Sequence, residues 1–293
     1  MIKEGKSKGQ TLNKDMNKTE LGSKTAKGGF ANEKAICEKF NAWENNIEAQ
    51  EWLRIMGYDI AKLDSVKAIQ VPTRIKKGDL SKFEVDEKEY DQFVRFKKAD
   101  AQIKIIIKIG NILKIENLSL KKANSDADYN QIDKRSVADY QEMWKFDDEI
   151  TFWLKLFTGE LNPKKYSGKT GIKRFRDERR LFLNEMPETI QKEIIKFFKR
   201  NQIMIINDII KGRGGLSADW VLVTKLNREN MTTTWTLRDI NVAMNFFGGG
   251  EVCISPKGSL YIGKITMQRK GGTPDPTKIQ FKIKPCQLFN LGE

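Results

Sequence analysis

A chain of 293 residues, 31% of them charged, with no apolar run of membrane-spanning length, is read as one large soluble domain or two modest ones. Its 53 Lys and Arg against 39 Asp and Glu leave a formal charge of +14, which points to a polyanionic partner, most often nucleic acid. The absence of histidine excludes Ser–His and Cys–His nucleophiles and His-ligated zinc, so any hydrolysis must run on carboxylates, lysines and a hard metal ion.

In chain order, residues 1–28 are basic, lack an apolar stretch and read as a flexible arm. A first helix is predicted from near Asn32, where Glu33, Ile36, Cys37 and Phe40 share one face at helical spacing. A carboxylate thus sits on an otherwise apolar stripe. A second helix turns Ala49, Trp52, Leu53 and Met56 inward and stops at Gly57. Residues 66–98 read as short strands and charged loops. The stretch "ADAQIKIIIKIGNILKIENLSLKK", 99–122, alternates on both sides of Gly110-Asn111, which is the pattern of a tight hairpin. "NSDADYNQIDKRSVADYQEMW" reads as a loop leading into a helix. "FDDEITFWLKLFTGE" is a helix capped by Asp147, striped by Ile150, Trp153, Leu154 and Phe157, and ended by Gly159.

A basic run over 164–180 marks a boundary between two halves, two more helices follow Pro187, and beyond Gly215 the chain turns to strands. Cys37, Cys253 and Cys286 are odd in number and widely spaced, which fits idle thiols in a reducing, cytoplasmic setting.

A two-residue turn at Gly110-Asn111 pairs Ile109 with Ile112, Ile103 with Leu118, Gln102 with Ser119 and Asp100 with Lys121. Directly opposed Cβ atoms lie about 4.5–5.5 Å apart, so the register brings a carboxylate and an ammonium together on the polar face. By itself this reads equally well as a cross-strand salt bridge on a solvated face, worth less than about 1 kcal/mol.

An Asp, a hairpin and a triplet ending in Lys on the second strand, preceded by a Glu-bearing helix, resemble the core of the PD-(D/E)XK nucleases. Asp100, Ser119-Leu120-Lys121 and Glu33 stand in those places, and "YNQIDKR" and "ITMQRKGG" resemble segments of type II restriction endonucleases. The resemblance implies an α/β, restriction-endonuclease-like mixed sheet flanked by helices. It implies a catalytic core over 29–160 and a helical linker with a β-rich DNA-recognition region over 161–293. The activity implied is Mg2+-dependent, sequence-specific hydrolysis of double-stranded DNA without a nucleotide cofactor. A palindromic target would call for a homodimer. Asp100, Glu33 and the Leu120 carbonyl would hold the metal, and Lys121 would assist the attacking water.

Ser119 departs from the acid that the motif expects, and a hydroxyl is a poor ligand for a hard cation. Glu116 has the wrong parity, which makes Glu33 the expected source of the missing charge. Gln268-Arg269-Lys270 forms a degenerate second triplet with no partner carboxylate nearby. It is expected to read bases, Arg269 or Lys270 on guanine and Gln268 on adenine, with Lys173, Arg174 and Arg176 on DNA as well. Two other readings stand beside this one: a repair or mobile-element nuclease of the same fold, and a non-catalytic DNA-binding protein.

Overall fold

The computed structural model describes residues 18–72, 75–83, 85–88, 90, 102–123, 125–227, 230, 232–271 and 277–292, with side chains at residue 29 and from residue 31 onward. Two five-stranded sheets organise them. In the first, β1 (Ser65–Val71), β2 (Gln102–Ile109), β3 (Ile112–Ala123), β5 (Trp220–Leu226) and β6 (Thr233–Asp239) lie in that order. The β3–β5 pairing is parallel and the others antiparallel, so this is the mixed sheet that was expected. The second sheet runs β4 (Asn130–Arg135), β10 (Ile279–Ile283), β9 (Ile265–Arg269), β8 (Leu260–Ile262), β7 (Val252–Ile254), antiparallel throughout.

Helices α1 (Lys18–Asn41) and α2 (Ile47–Ile55) cover one face of the first sheet. Ile36, Phe40, Trp52 and Leu53 pack there against Ile103, Ile105, Leu118 and Leu120, all buried. Each such side chain stabilises by about 1.5–3 kcal/mol on leaving water. The opposite face of β5, at Val221 and Val223, joins a larger core. It contains α3 (Val137–Trp144), α4 (Asp148–Thr158), α5 (Glu188–Arg200), α6 (Gln202–Ile206), α7 (Ile240–Gly248) and the inner face of the second sheet. None of the described helices is long and apolar enough to cross a membrane.

Helix α1 starts at Lys18, inside the stretch read as an arm and well before Asn32. Once a buried stripe anchors a helix, extending it adds one hydrogen bond per residue fixed, which costs little. Residues 1–17 lie outside the described residues.

The segment expected to be a loop before α3 contains β4 instead. Its alternation was hidden because two of its buried positions are charged. Asp133, fully buried, accepts from Arg135 Nε at 3.1 Å and from the Tyr140 hydroxyl at 3.0 Å. The sheets also interleave across position 160: β4 belongs to the second sheet, and β5 and β6 complete the first.

Candidate functional site

The hairpin folds in the expected register. Ile109 faces Ile112 across a turn in which Gly110 takes φ +55°, and the ladder continues to Gln102 opposite Ser119. Asp100 lies outside the described residues. Lys121, the next same-face residue of β3 after Ser119, pairs on its other side with Val223 of β5.

The polar face of this hairpin is not solvated, contrary to the simplest reading of the sequence. Gln102, Lys104, Asn117, Ser119 and Lys121 are all buried. Segments 75–83 and 215–216 close over the face and accept from three of its donors. Lys104 donates to the Phe83 carbonyl, Gln102 Nε2 to that of Leu216 at 2.9 Å, and Asn117 Nδ2 to that of Gly215 at 3.0 Å. Lys121 Nζ donates to the Gln131 carbonyl of β4 at 3.2 Å. Buried ammoniums need such acceptors, since an unpaired buried charge is expensive. Lys121 therefore stands where the two sheets meet.

Glu33 is buried on α1 as the helical stripe predicts. Its turn is tied to β5 by the Thr224 hydroxyl, which donates to Asn32 Oδ1 at 3.2 Å. Thr224 is the register partner of Lys122, so this turn lies at the Lys121 end of β3. Burial, then the charges of Glu33 and Glu38, push the Cys37 thiol up to about 12. Glu116 is occupied elsewhere, accepting from the Tyr58 hydroxyl at 2.5 Å and from Trp220 Nε1 at 2.9 Å. Among the described residues, no three of Asp, Glu, Cys or His cluster closely enough to hold a metal ion.

The second sheet has one apolar and one polar face. Across β4, β10 and β9 the polar face carries Lys134, Gln280 and Gln268 in one row. The next row is Gln131, Lys282 and Thr266, and Lys270 follows Gln268 on the same side. Burial and then the charge of Lys134 lower the pKa of Lys270; burial and then the charge of Lys270 lower that of Lys282. Lys134, Lys270 and Lys282 are half-buried, and no described carboxylate forms a salt bridge with any of them. Gln280 Oε1 and Thr266 Oγ1, both buried, lack a hydrogen-bond partner. Three cations held near one another beside unused acceptors form a surface suited to a polyanion that also presents donors.

Of these residues the sequence reading picked out only Gln268 and Lys270. Gln280 and Lys282 were legible in principle as sharing one face, since "IQFKIK" alternates apolar and polar, whereas Lys134 stands in β4, whose alternation is hidden by its buried charges.

Arg269 departs from its expected place. It lies on the face opposite Gln268 and Lys270, because successive strand residues point to opposite sides. Its guanidinium packs over Gly159 and lies 3.9 Å from Asp177. Asp177 also accepts from Arg179 Nε and Nη2 at 2.9 and 3.0 Å, and this pairing lowers its pKa to about 2. Within the basic run, Arg176 and Arg180 both stack on the Phe182 ring, at 4.2 and 4.1 Å, and Arg176 pairs with Glu185 at 3.3 Å. Arg176, though exposed, is thus engaged within the protein, and Lys173 and Arg174 are exposed as well.

The profile of the R.HinP1I restriction endonuclease family matches residues 90–289, more than half of the chain. Among solved structures, the chain resembles restriction endonuclease MspI, crystallised in complex with its cognate DNA. That match has a TM-score of 0.55 at 12% identity and covers 90% of this chain and 92% of that one. No curated protein sequence matches. The structural likeness concerns the fold; the family match concerns the lineage.

Proposed function

Because the chain belongs to the R.HinP1I restriction endonuclease family and is a type II site-specific deoxyribonuclease, we propose that it hydrolyses double-stranded DNA at a short recognition sequence in a Mg2+-dependent reaction. On this reading the hairpin end of the first sheet cuts and the polar face of the second sheet reads bases. One observation carries the proposal: Lys121 Nζ bonds the carbonyl of Gln131, the residue that pairs with Lys282 on the cation-bearing face. Cleavage and recognition thus adjoin on strand β4.

The donors present suit a hard cation. On the Lys121 face the Ser119 hydroxyl and the unpartnered Gln102 Oε1 offer oxygen, and the Leu120 carbonyl lies in the strand between Ser119 and Lys121. Glu33 offers a carboxylate from helix α1, which packs on the opposite face of the sheet. Asp100 is assigned to the same shell from its place in the motif. The ion, when bound, acidifies a water and offsets the charge that builds on the scissile phosphate. Lys121, fixed by Gln131, would orient the attacking water and stabilise the pentacovalent phosphate. Lys134, Lys270 and Lys282 bind phosphates or guanine edges, while Gln268 and Gln280 contact bases through their amides. Lys173 and Arg174 add contacts to the DNA backbone. A palindromic site implies a homodimer acting on both strands in the cytoplasm.

The test is digestion of DNA of known sequence with Mg2+, followed by mapping of the ends. Discrete fragments ending at one sequence are expected. A smear would favour a repair or mobile-element nuclease, and intact DNA would refute the proposal.

A further inference from the structure

The triplet Ser119-Leu120-Lys121 lacks an acid at its first position, and the structure offers a different oxygen in its place. Gln102 is directly opposed to Ser119 in the β2–β3 ladder, so both side chains leave the same face of the sheet. Lys121 is the next residue of β3 on that face, which makes Gln102 a neighbour of the Lys121 site across one register step.

The Gln102 amide is only half satisfied. It is only 1% exposed. Its Nε2 is committed to the Leu216 carbonyl at 2.9 Å, which leaves Oε1 turned the other way. That oxygen is buried and accepts no hydrogen bond. Buried polar atoms almost always have partners, and one that lacks a partner in the protein calls for a water, an ion or a catalytic role to account for it. The neighbouring buried polar side chains of the face, Lys104 and Asn117, each have an acceptor in the protein. Gln102 Oε1 is an oriented, neutral oxygen donor of the kind that magnesium and calcium accept from carbonyls.

Resting on the hairpin reading above, we propose that Gln102 Oε1 is the oxygen donor that position 119 does not supply, and that it joins the shell of the divalent cation. The strand opposite the triplet thereby makes good its departure from the motif. A neutral carbonyl in place of a carboxylate leaves the site with one negative charge fewer. Metal should bind more weakly than to a two-acid shell, and Ser119→Asp should tighten it.

The test uses the full-length protein and Mn2+ as a spectroscopic stand-in for magnesium, with free Mn2+ followed by electron paramagnetic resonance. Gln102→Met keeps the size and removes the oxygen, and should weaken Mn2+ binding by about 10–100-fold. Gln102→Glu should tighten it. In unsubstituted protein labelled with 13C,15N-glutamine, saturating diamagnetic Mg2+ should shift the Gln102 side-chain carbonyl resonance, a readout of direct contact that paramagnetic broadening by Mn2+ would not give. That measurement decides the matter if Gln102→Met does not fold.

An unshifted Gln102 carbonyl resonance at saturating Mg2+, or unchanged Mn2+ affinity in Gln102→Met, would overturn the proposal; a buried water on Oε1 would give that result. A separate control isolates the hairpin reading. If Lys121→Ala cuts at the wild-type rate, the whole site is misplaced. If Lys121→Ala is inactive and the wild type binds Mn2+ while Gln102→Met binds it equally well, the Gln102 assignment alone fails.

Discussion

Replacing Lys134, Lys270 and Lys282 together with methionine should change DNA binding and stability in opposite directions. The three ammoniums sit half-buried on one sheet face with no described carboxylate in a salt bridge to them, and burial and mutual repulsion lower the pKa of Lys270 and Lys282. Methionine keeps the aliphatic length and removes the charge. If each lysine meets a phosphate of B-DNA, each removes about 0.9 from the slope of log K against log salt. Between 50 and 200 mM salt that amounts to about 3.5-fold per contact, or about 40-fold for all three.

Relief of like-charge repulsion among partly exposed groups is worth about 0.2–1 kcal/mol, by analogy with exposed ion pairs of opposite sign. The free protein should therefore melt no lower than wild type, and slightly higher. The assay is fluorescence anisotropy with one duplex across a salt series, alongside thermal melting without DNA. Should the lysines contact guanine edges instead, each would cost about 1–3 kcal/mol of discrimination at one base pair. A triple variant with wild-type affinity, salt slope and sequence preference would refute the assignment of this face.

The other predictions concern single residues. Lys121→Ala should abolish cleavage and also cost about 1–3 kcal/mol in urea denaturation, because the Gln131 carbonyl loses its buried donor; unchanged cutting would remove Lys121 from the site. Arg269→Ala should lower the melting temperature without relaxing the target sequence, since its guanidinium packs on Gly159 beside Asp177; a changed cleavage pattern would return it to the DNA interface. Asp177, with a folded pKa of about 2 against about 3.9 unfolded, stabilises fully above pH 4 and loses this as pH falls toward 2. Asp177→Asn should therefore be less stable than wild type at pH 7, by a margin that closes over that window in acid denaturation. In native protein only the exposed Cys253 should react with a thiol reagent, whereas buried Cys37 and Cys286, with raised pKa values, should react only on unfolding.

Local periodicity carried much of this protein. The β2–β3 register from Ile109–Ile112 to Gln102–Ser119 followed from period-2 alternation around Gly110-Asn111, because a two-residue turn leaves no freedom in pairing. The stripe that buried Glu33 with Ile36 and Phe40 followed from helical spacing, and the lack of histidine already confined the chemistry to carboxylates, lysine and metal. What alternation cannot say is what covers a polar face. Lys121 is buried because a carbonyl of β4, ten residues on and in the other sheet, comes to meet it. Strand β4 escaped notice because Asp133 and Arg135 satisfy each other inside the core, and polar residues in such a pattern look like a loop. Strand parity turned Arg269 away from Gln268 and Lys270, while pairing between β4, β10 and β9 gathered Lys134, Lys282 and Gln280 from distant segments onto one face. A sequence fixes which residues can share a side of a strand; only the packing of one strand against another decides which of those sides meets water, protein or DNA.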